Sequence, residues 1–443
     1  MIKLEKWFPD DMITEYRQNI VQEVIELNGG SPGLTYLRYG KKHSIAIDDL
    51  LTLPWRELKH KYHGLKLYIY LCGLEQYKNL TARKIMDTLV SCDPDVKKTD
   101  DEVYILPVGY GRIEFSDKMS RRRDDLIKEE DFETIRRFLI EKIQQYDGIY
   151  YDRVVKLNPG YEKSKKSFAQ AINLIRKDLD ESLNLSLLVP SAGTAPTAGG
   201  YDNKNYIIHY RMLSDLLRHK LLCSLGVTTC PYCNRQYITG YIDENKKKTT
   251  ADLDHFYQKG TYPLFALSLF NFIPSCQICN SRMKGEKQIH SLYPYEEGFE
   301  DNVKFCLVPD KKDDDKALLR AWLGDRRAFD KIKIDLKLRE GLDMSYVSRA
   351  EGSIALFKLK QIYAIHKDKA LDTILKKRIY WESPYKQFME DLFNRIGLAF
   401  SEEEMLDFLV GFHWQDQHYD EPLSKFVHDI FYADETEPDG LLG

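Results

Sequence analysis

Two Cys-x-x-Cys pairs, Cys230/Cys233 in "CPYCN" and Cys276/Cys279 in "CQICN", bracket an Asp-Leu-Asp-His run at residues 252–255. Four thiolates on two tight turns are the ligand set of a closed, tetrahedral structural zinc site. A redox Cys-x-x-Cys is the competing reading, but two such pairs framing one segment favour Zn²⁺. With 42 residues between Cys233 and Cys276, the spacing exceeds that of compact zinc ribbons. The insert therefore has room for a task of its own.

Asp254, His255, Asn271 and Asn280 carry the groups able to perform it. An imidazole near its ordinary pKa can take a proton from water at neutral pH. Carboxylate and amide oxygens are hard ligands that leave Mg²⁺ open positions for phosphate and water. A base, a cation and a group that orients the base are what metal-assisted phosphodiester hydrolysis requires. Asp252 reads equally as a second carboxylate at the metal or as a solvated strand residue. Arg282 and Lys284 follow the second cysteine pair, where they would meet DNA phosphates or merely end a helix in solvent.

The elements that must hold these residues are legible in outline. "QYITGYIDENKKKTTADLDHF" reads as a hairpin: an alternating strand, a polar turn, and a returning strand that ends in Asp254 and His255. Alternation sends those two side chains to opposite faces unless the strand stops there, and the loop "YQKGTYP" makes a stop plausible. "CQICNSRMKG" then opens a short helix. The predicted order is strand, strand, helix.

This segment, 230–285, resembles an HNH endonuclease of the ββα-metal (His-Me finger) superfamily in its zinc-stapled form. The resemblance rests on "DLDH", a central Asn, and "CNSRMKG" with its Asn inside a cysteine knuckle. It implies His255 as general base, Asp254 and Asn280 as ligands of a catalytic Mg²⁺ or Mn²⁺, and Asn271 as the residue that braces the loop and orients the histidine. It implies Cys230, Cys233, Cys276 and Cys279 as ligands of structural Zn²⁺. Asn280 stands where many members have a third His, and Gln258 where many have Pro. Further on, "PYEEGFEDNVKF" and "FKLKQIYAIHKDKALDTILKKRIY" resemble bacterial antiphage-defence HNH effectors, especially the nuclease subunit of Septu-type systems. Those act with an ATPase partner. This chain has no G-x-x-x-x-G-K-[ST] loop, which accords with a partner of that kind; "NGGSPGLTYLRYGKKHS" has the wrong spacing for a nucleotide site.

The wider sequence sets the frame. A chain of 443 residues, 43% hydrophobic and 30% charged, is long enough for two or three packed domains. We expect a mainly α protein with a small α+β nuclease module. The expected division is a mostly helical N-terminal domain over 1–186, for partner docking or regulation; an Ala/Gly/Pro/Ser/Thr-rich linker over 187–203; the module over 204–300, entered through a helix at 204–224; and a mostly helical C-terminal domain over 301–443. Residues 9–30 predict a helix stopped by Gly-Gly, and 102–115 two short strands around a glycine turn. Amphipathic stretches occupy 120–147 and 161–185, and "KFCLVPDKKDDDKALLRAWL" and "FDKIKIDLKL" suggest short strands.

A net charge of −4 does not advertise a DNA-binding protein. Residues 331–380, however, carry 12 Lys/Arg against 6 Asp/Glu, which allows a local basic surface. No window is a membrane span and the first residues lack an export signal, so a cytoplasmic location is expected. Cys72, Cys92, Cys223 and Cys306 read as inert thiols. His366 reads as structural, and His290, His413, His418 and His428 have no evident partners. Two other functions fit parts of the pattern: a non-catalytic zinc-knuckle adaptor for nucleic acid or protein, and an RNase or tRNA-cleaving toxin using the same residues.

Overall fold

The computed structural model describes residues 1–62, 206–411 and 421–433, apart from a few positions inside each span, together with scattered pieces between 65 and 141. The linker 187–203, the stretch 161–185, most of 120–147, and Cys72, Cys92, His290, His413 and His418 lie outside the described residues.

After Pro9, α1 (Asp10–Tyr16) begins with Asp10 and Asp11, whose charges suit a helix N-terminus. A π turn (Arg17–Val21) leads into α2 (Gln22–Leu27). Gly29 and Gly30 then take φ of 70° and 79°, a conformation cheap only for glycine, and they close the helix as expected. The glycine-rich stretch that follows forms an antiparallel hairpin, β1 (Gly33–Arg38) with β2 (Lys41–Ala46), pairing Gly33 with Ala46. α3 (Ile47–Thr52) and α4 (Trp55–Lys61) follow. β3 (Lys97–Lys98), β4 (Tyr104–Ile105) and β5 (Arg112–Ile113) form a small antiparallel sheet, and the last two enclose the expected glycine turn.

These first residues do not stand apart from the cysteine segment. The Tyr16 hydroxyl donates to the Leu267 carbonyl at 2.5 Å, and the Trp55 indole to that of Phe270 at 3.0 Å. Trp7 and Phe8 meet the Phe270 ring edge-on. Main-chain bonds from Ile2 to Pro231 and from Leu4 to Pro294 tie the leading segment down. One hydrophobic cluster runs from Leu4 through Phe270 and Phe357 to Ile430. Residues from 1–62, 206–300 and 301–433 therefore contribute to one hydrophobic cluster, and the first helices pack both on one another and on the segment around Phe270.

Within 206–300 a 3₁₀ turn (Tyr210–Met212) precedes α5 (Asp215–Ser224), capped by Ser214, whose hydroxyl accepts from Leu217 N. The helix expected from residue 204 thus starts later, because His209 is extended at φ −146°. β6 (Gly240–Asp243) pairs with β7 (Lys246–Thr249). β8 (Asp252–His255) leaves that hairpin and pairs antiparallel with β9 (Phe272–Ser275), His255 opposite Phe272 and Asp252 opposite Ser275. This corrects the expected hairpin. The polar "DENKKK" turn closes only β6 and β7, and the acidic-histidine strand finds its partner beyond the loop. A helical segment, Ile278–Lys284, follows at once.

β10 (Val303–Pro309) and β11 (Ile332–Leu338) pair antiparallel, Val303 opposite Leu338, with α6 (Asp315–Trp322) between them. The C-terminal helices are α7 (Met344–Leu356), α8 (Leu359–Tyr363), α9 (Lys367–Lys376), α10 (Pro384–Arg395), α11 (Glu402–Val410) and α12 (Ser424–Phe431). With many helices and five small antiparallel sheets among the described residues, the fold combines helices with small sheets. No helix among them is long and apolar enough to cross a membrane.

Candidate active site

The four cysteines arrive from two tight turns. Asn234 N donates to Cys230 O at 2.8 Å, and Asn280 N to Cys276 O at 3.0 Å. Asn234 completes the first turn at φ 48°, a left-handed conformation that Asn tolerates. The Sγ atoms of Cys230, Cys233, Cys276 and Cys279 all lie within 4.8 Å of one another and are buried. Zinc–sulfur bonds of about 2.3 Å in a tetrahedron place sulfurs about 3.8 Å apart, so the cluster fits a zinc ion. Burial pushes the Cys230 thiol well above its usual range. A thiolate so far out of water is stabilised by a bound cation.

Tyr232, inside the first turn, joins this cluster to the residues beside it. Its ring stacks on Phe357 at 4.4 Å and its hydroxyl donates to Asp254 Oδ2 at 2.6 Å. The other carboxylate oxygen, Oδ1, accepts from Lys284 Nζ at 2.9 Å, and the same ammonium donates to the His255 carbonyl at 2.6 Å. Lys284 is only 5% exposed, so it does not face a nucleic acid. That expectation is corrected: the segment after the second knuckle turns Lys284 inward, where the Asp254 carboxylate offsets the cost of burying a cation. Arg282 is exposed and stays available to a phosphate backbone.

His255 is 9% exposed and its Nε2 lies 3.0 Å from the Ala266 carbonyl. A carbonyl only accepts, so Nε2 carries the hydrogen and the Nδ1 lone pair is left as a base. Burial lowers its pKa to about 4, against the raising effects of the Ala266 bond and of Asp254. The imidazole is therefore neutral at pH 7, but not at the ordinary pKa expected from the sequence, because water has been removed from around it. Tyr210 and Phe272 pack edge-on against the ring.

Asn271 is fully buried and braces the intervening loop. Its Oδ1 accepts from Tyr257 N at 2.7 Å, and its Nδ2 donates to the carbonyls of Tyr257 and Phe265, both at 2.9 Å. Phe265 is next to Ala266, the partner of His255, so the Asn271 amide fixes the backbone that orients the imidazole.

Asn280 is half-buried and its Nδ2 donates to Asp252 Oδ2 at 3.1 Å. The sequence left Asp252 undecided; the structure pairs it with Asn280 and places Asp254 among Tyr232 and Lys284. As residues i and i+2 of one strand, the two carboxylates share a face. Asp252 is the more accessible of them. The oxygens of Asp252, Asp254 and Asn280 are a donor set that suits a hard divalent cation, and each Asp254 oxygen retains a second lone pair beside its named bond.

Sequence reasoning missed Tyr210, Arg218, Tyr232 and Lys259. Lys259 rests its ammonium 4.2 Å from the Tyr210 ring centroid, and Arg218 is within electrostatic range of Tyr210. Tyr210 and Arg218 lie more than thirty residues before His255 and belong to no spaced motif. Only Lys259, inside the loop after His255, had a positional signal. His366 is structural as expected, accepting from Arg235 Nε at 3.0 Å. His428 does have neighbours, Asp429 at 3.4 Å and the Tyr432 ring.

No protein-family model, curated protein or solved structure matches this chain.

Proposed function

We infer that the chain is a metal-dependent endonuclease of HNH type that hydrolyses DNA phosphodiester bonds. The support for this reading is the neutral, carbonyl-anchored imidazole of His255 on the strand that also carries Asp252 and Asp254, the bond between Asn280 and Asp252, and the four-thiolate cluster nearby. His255 Nδ1 is the group that takes the proton from the attacking water. The Ala266 carbonyl holds the ring in the tautomer that permits this, and the Asn271 amide holds that carbonyl's segment in place. Asp252, Asp254 and Asn280 would hold Mg²⁺ or Mn²⁺, which when bound supplies Lewis acidity to the phosphoryl and leaving oxygens. The four cysteines would hold Zn²⁺ in a closed site with no position left for substrate.

An effector role in bacterial antiphage defence, in concert with a nucleotide-hydrolysing ATPase partner, belongs to the same reading. Its support is the resemblance together with the missing phosphate loop. Arg282, which is exposed, would meet the DNA backbone.

Purified full-length protein, incubated with plasmid DNA and Mg²⁺ or Mn²⁺, with and without a candidate ATPase, is the test. Cleavage is expected to fall by at least about a hundredfold in His255→Ala, the scale at which a positioned base contributes. Equal cutting by the variant and the wild type would remove the assignment. A parallel digestion of RNA distinguishes the ribonuclease alternative.

A further inference from the structure

Three side chains outside the sequence motif gather on His255. Tyr210, half-buried, sets its ring against the imidazole with centroids 4.9 Å apart. Lys259 carries its ammonium 4.2 Å from the centroid of that same ring and lies within electrostatic range of His255. Arg218, on α5, is within electrostatic range of Tyr210 and of Asp252, which is itself bonded to Asn280. Tyr210 thus touches the base and has both cations close to it.

We propose that Tyr210, Arg218 and Lys259 form a phosphate-binding subsite, which seats one phosphodiester group against His255. The subsite rests on the nuclease reading and names how that site takes its substrate. A guanidinium offers five N–H donors in a planar fork that matches two phosphate oxygens. Asp215 takes one contact at 2.7 Å, which leaves donors for a ligand. Asp215 is 82% exposed on its side chain, against 31% for Arg218. Their pair is accordingly a solvent-screened surface contact that does not cancel the guanidinium. Lys259 adds a second positive charge, held in place by the electron-rich ring face beneath it. Tyr210 seats the ammonium on its face while its edge-on contact with the imidazole ties that charge to the buried base of the motif.

The test measures binding, so that it stands apart from turnover. Full-length protein carrying His255→Ala, which stops cleavage under the nuclease reading, is titrated with two oligodeoxynucleotide duplexes. One has natural linkages; the other has uncharged methylphosphonate linkages at its centre. The natural duplex is expected to bind about tenfold tighter or more, the scale of one lost charge-assisted contact. That ratio is expected to shrink toward one when Arg218→Met is added, to recover in part with Arg218→Lys, and to shrink also with Lys259→Met. Melting curves verify that each variant is folded, and Lys259→Met decides the matter should Arg218→Met not fold. An unchanged ratio in the variants, or no difference between duplexes in the parent, overturns the subsite. Cleavage by His255→Ala at the wild-type rate overturns the nuclease reading instead.

Discussion

Lys284 and Asp254 form an ion pair inside the protein, 2.9 Å from Nζ to Oδ1, with side chains 6% and 4% exposed. Removing one partner strands the other charge out of water, a loss of roughly 3–5 kcal/mol. Lys284→Met should lower the free energy of unfolding in urea by about that much. Adding Asp254→Asn, which removes the stranded charge and still accepts from Tyr232, should restore most of it. Equal stability of the single and double variants would show that the pair is not coupled.

Asn271 satisfies three buried backbone groups, the N–H and C=O of Tyr257 and the C=O of Phe265. Each group left without a partner costs on the order of 1–3 kcal/mol. Asn271→Ala is expected to destabilise the chain by several times RT and to loosen the loop before the strand. Hydrogen exchange at the Tyr257 amide reads this locally: its protection should fall more than that of the β8–β9 ladder. A uniform fall across both would mean global unfolding.

The His255 pKa gives a pH dependence with a definite sign. Unfolded, the group binds its proton near the model value of 6.5; folded, near 4. Between those values the unfolded chain holds more protons, so acid favours unfolding. The contribution is complete above about pH 6.5 and is lost as the pH falls toward 4, with an upper bound of roughly 3 kcal/mol. His255→Gln should flatten the slope of unfolding free energy against pH in that window. Parallel curves for variant and wild type would contradict it.

One zinc per chain is the expected content by elemental analysis, falling toward none in Cys276→Ala. Because four buried thiolates without a cation repel one another, stripping the metal with a strong chelator should lower the melting temperature sharply and reversibly. A melting temperature indifferent to chelation would argue that the thiols stay protonated and metal-free.

Much of the site was legible because its residues are close in sequence and of rare types. The spacing of Cys230, Cys233, Cys276 and Cys279 placed all four in one cluster, and the strand that carries Asp254 and His255 and the turn that carries Asn280 lie in the segment those cysteines frame. Three things were hidden. The partner of the β8 strand was hidden because a polar turn at 243–246 advertised a hairpin that stops at Thr249, while the true pairing residues "FIPS" lack alternation. The inward turn of Lys284 was hidden because a lysine after a knuckle looks solvent-bound until Asp254 is seen beneath it. The sharing of one core by Tyr16, Trp55 and Phe270 was hidden because contacts across more than two hundred residues leave no local periodicity.

Asn234, in the first cysteine turn, also receives the last described helix. Its Oδ1 accepts from Lys425 N at 3.1 Å, its Nδ2 donates to Glu421 O at 3.2 Å, and its carbonyl accepts from Leu423 N at 2.6 Å. During synthesis those partners leave the ribosome almost two hundred residues after Asn234 itself. A chain interrupted before residue 421 therefore lacks the three partners of the Asn234 amide and carbonyl. The arrangement couples the firmness of the first cysteine turn to a segment made long after it.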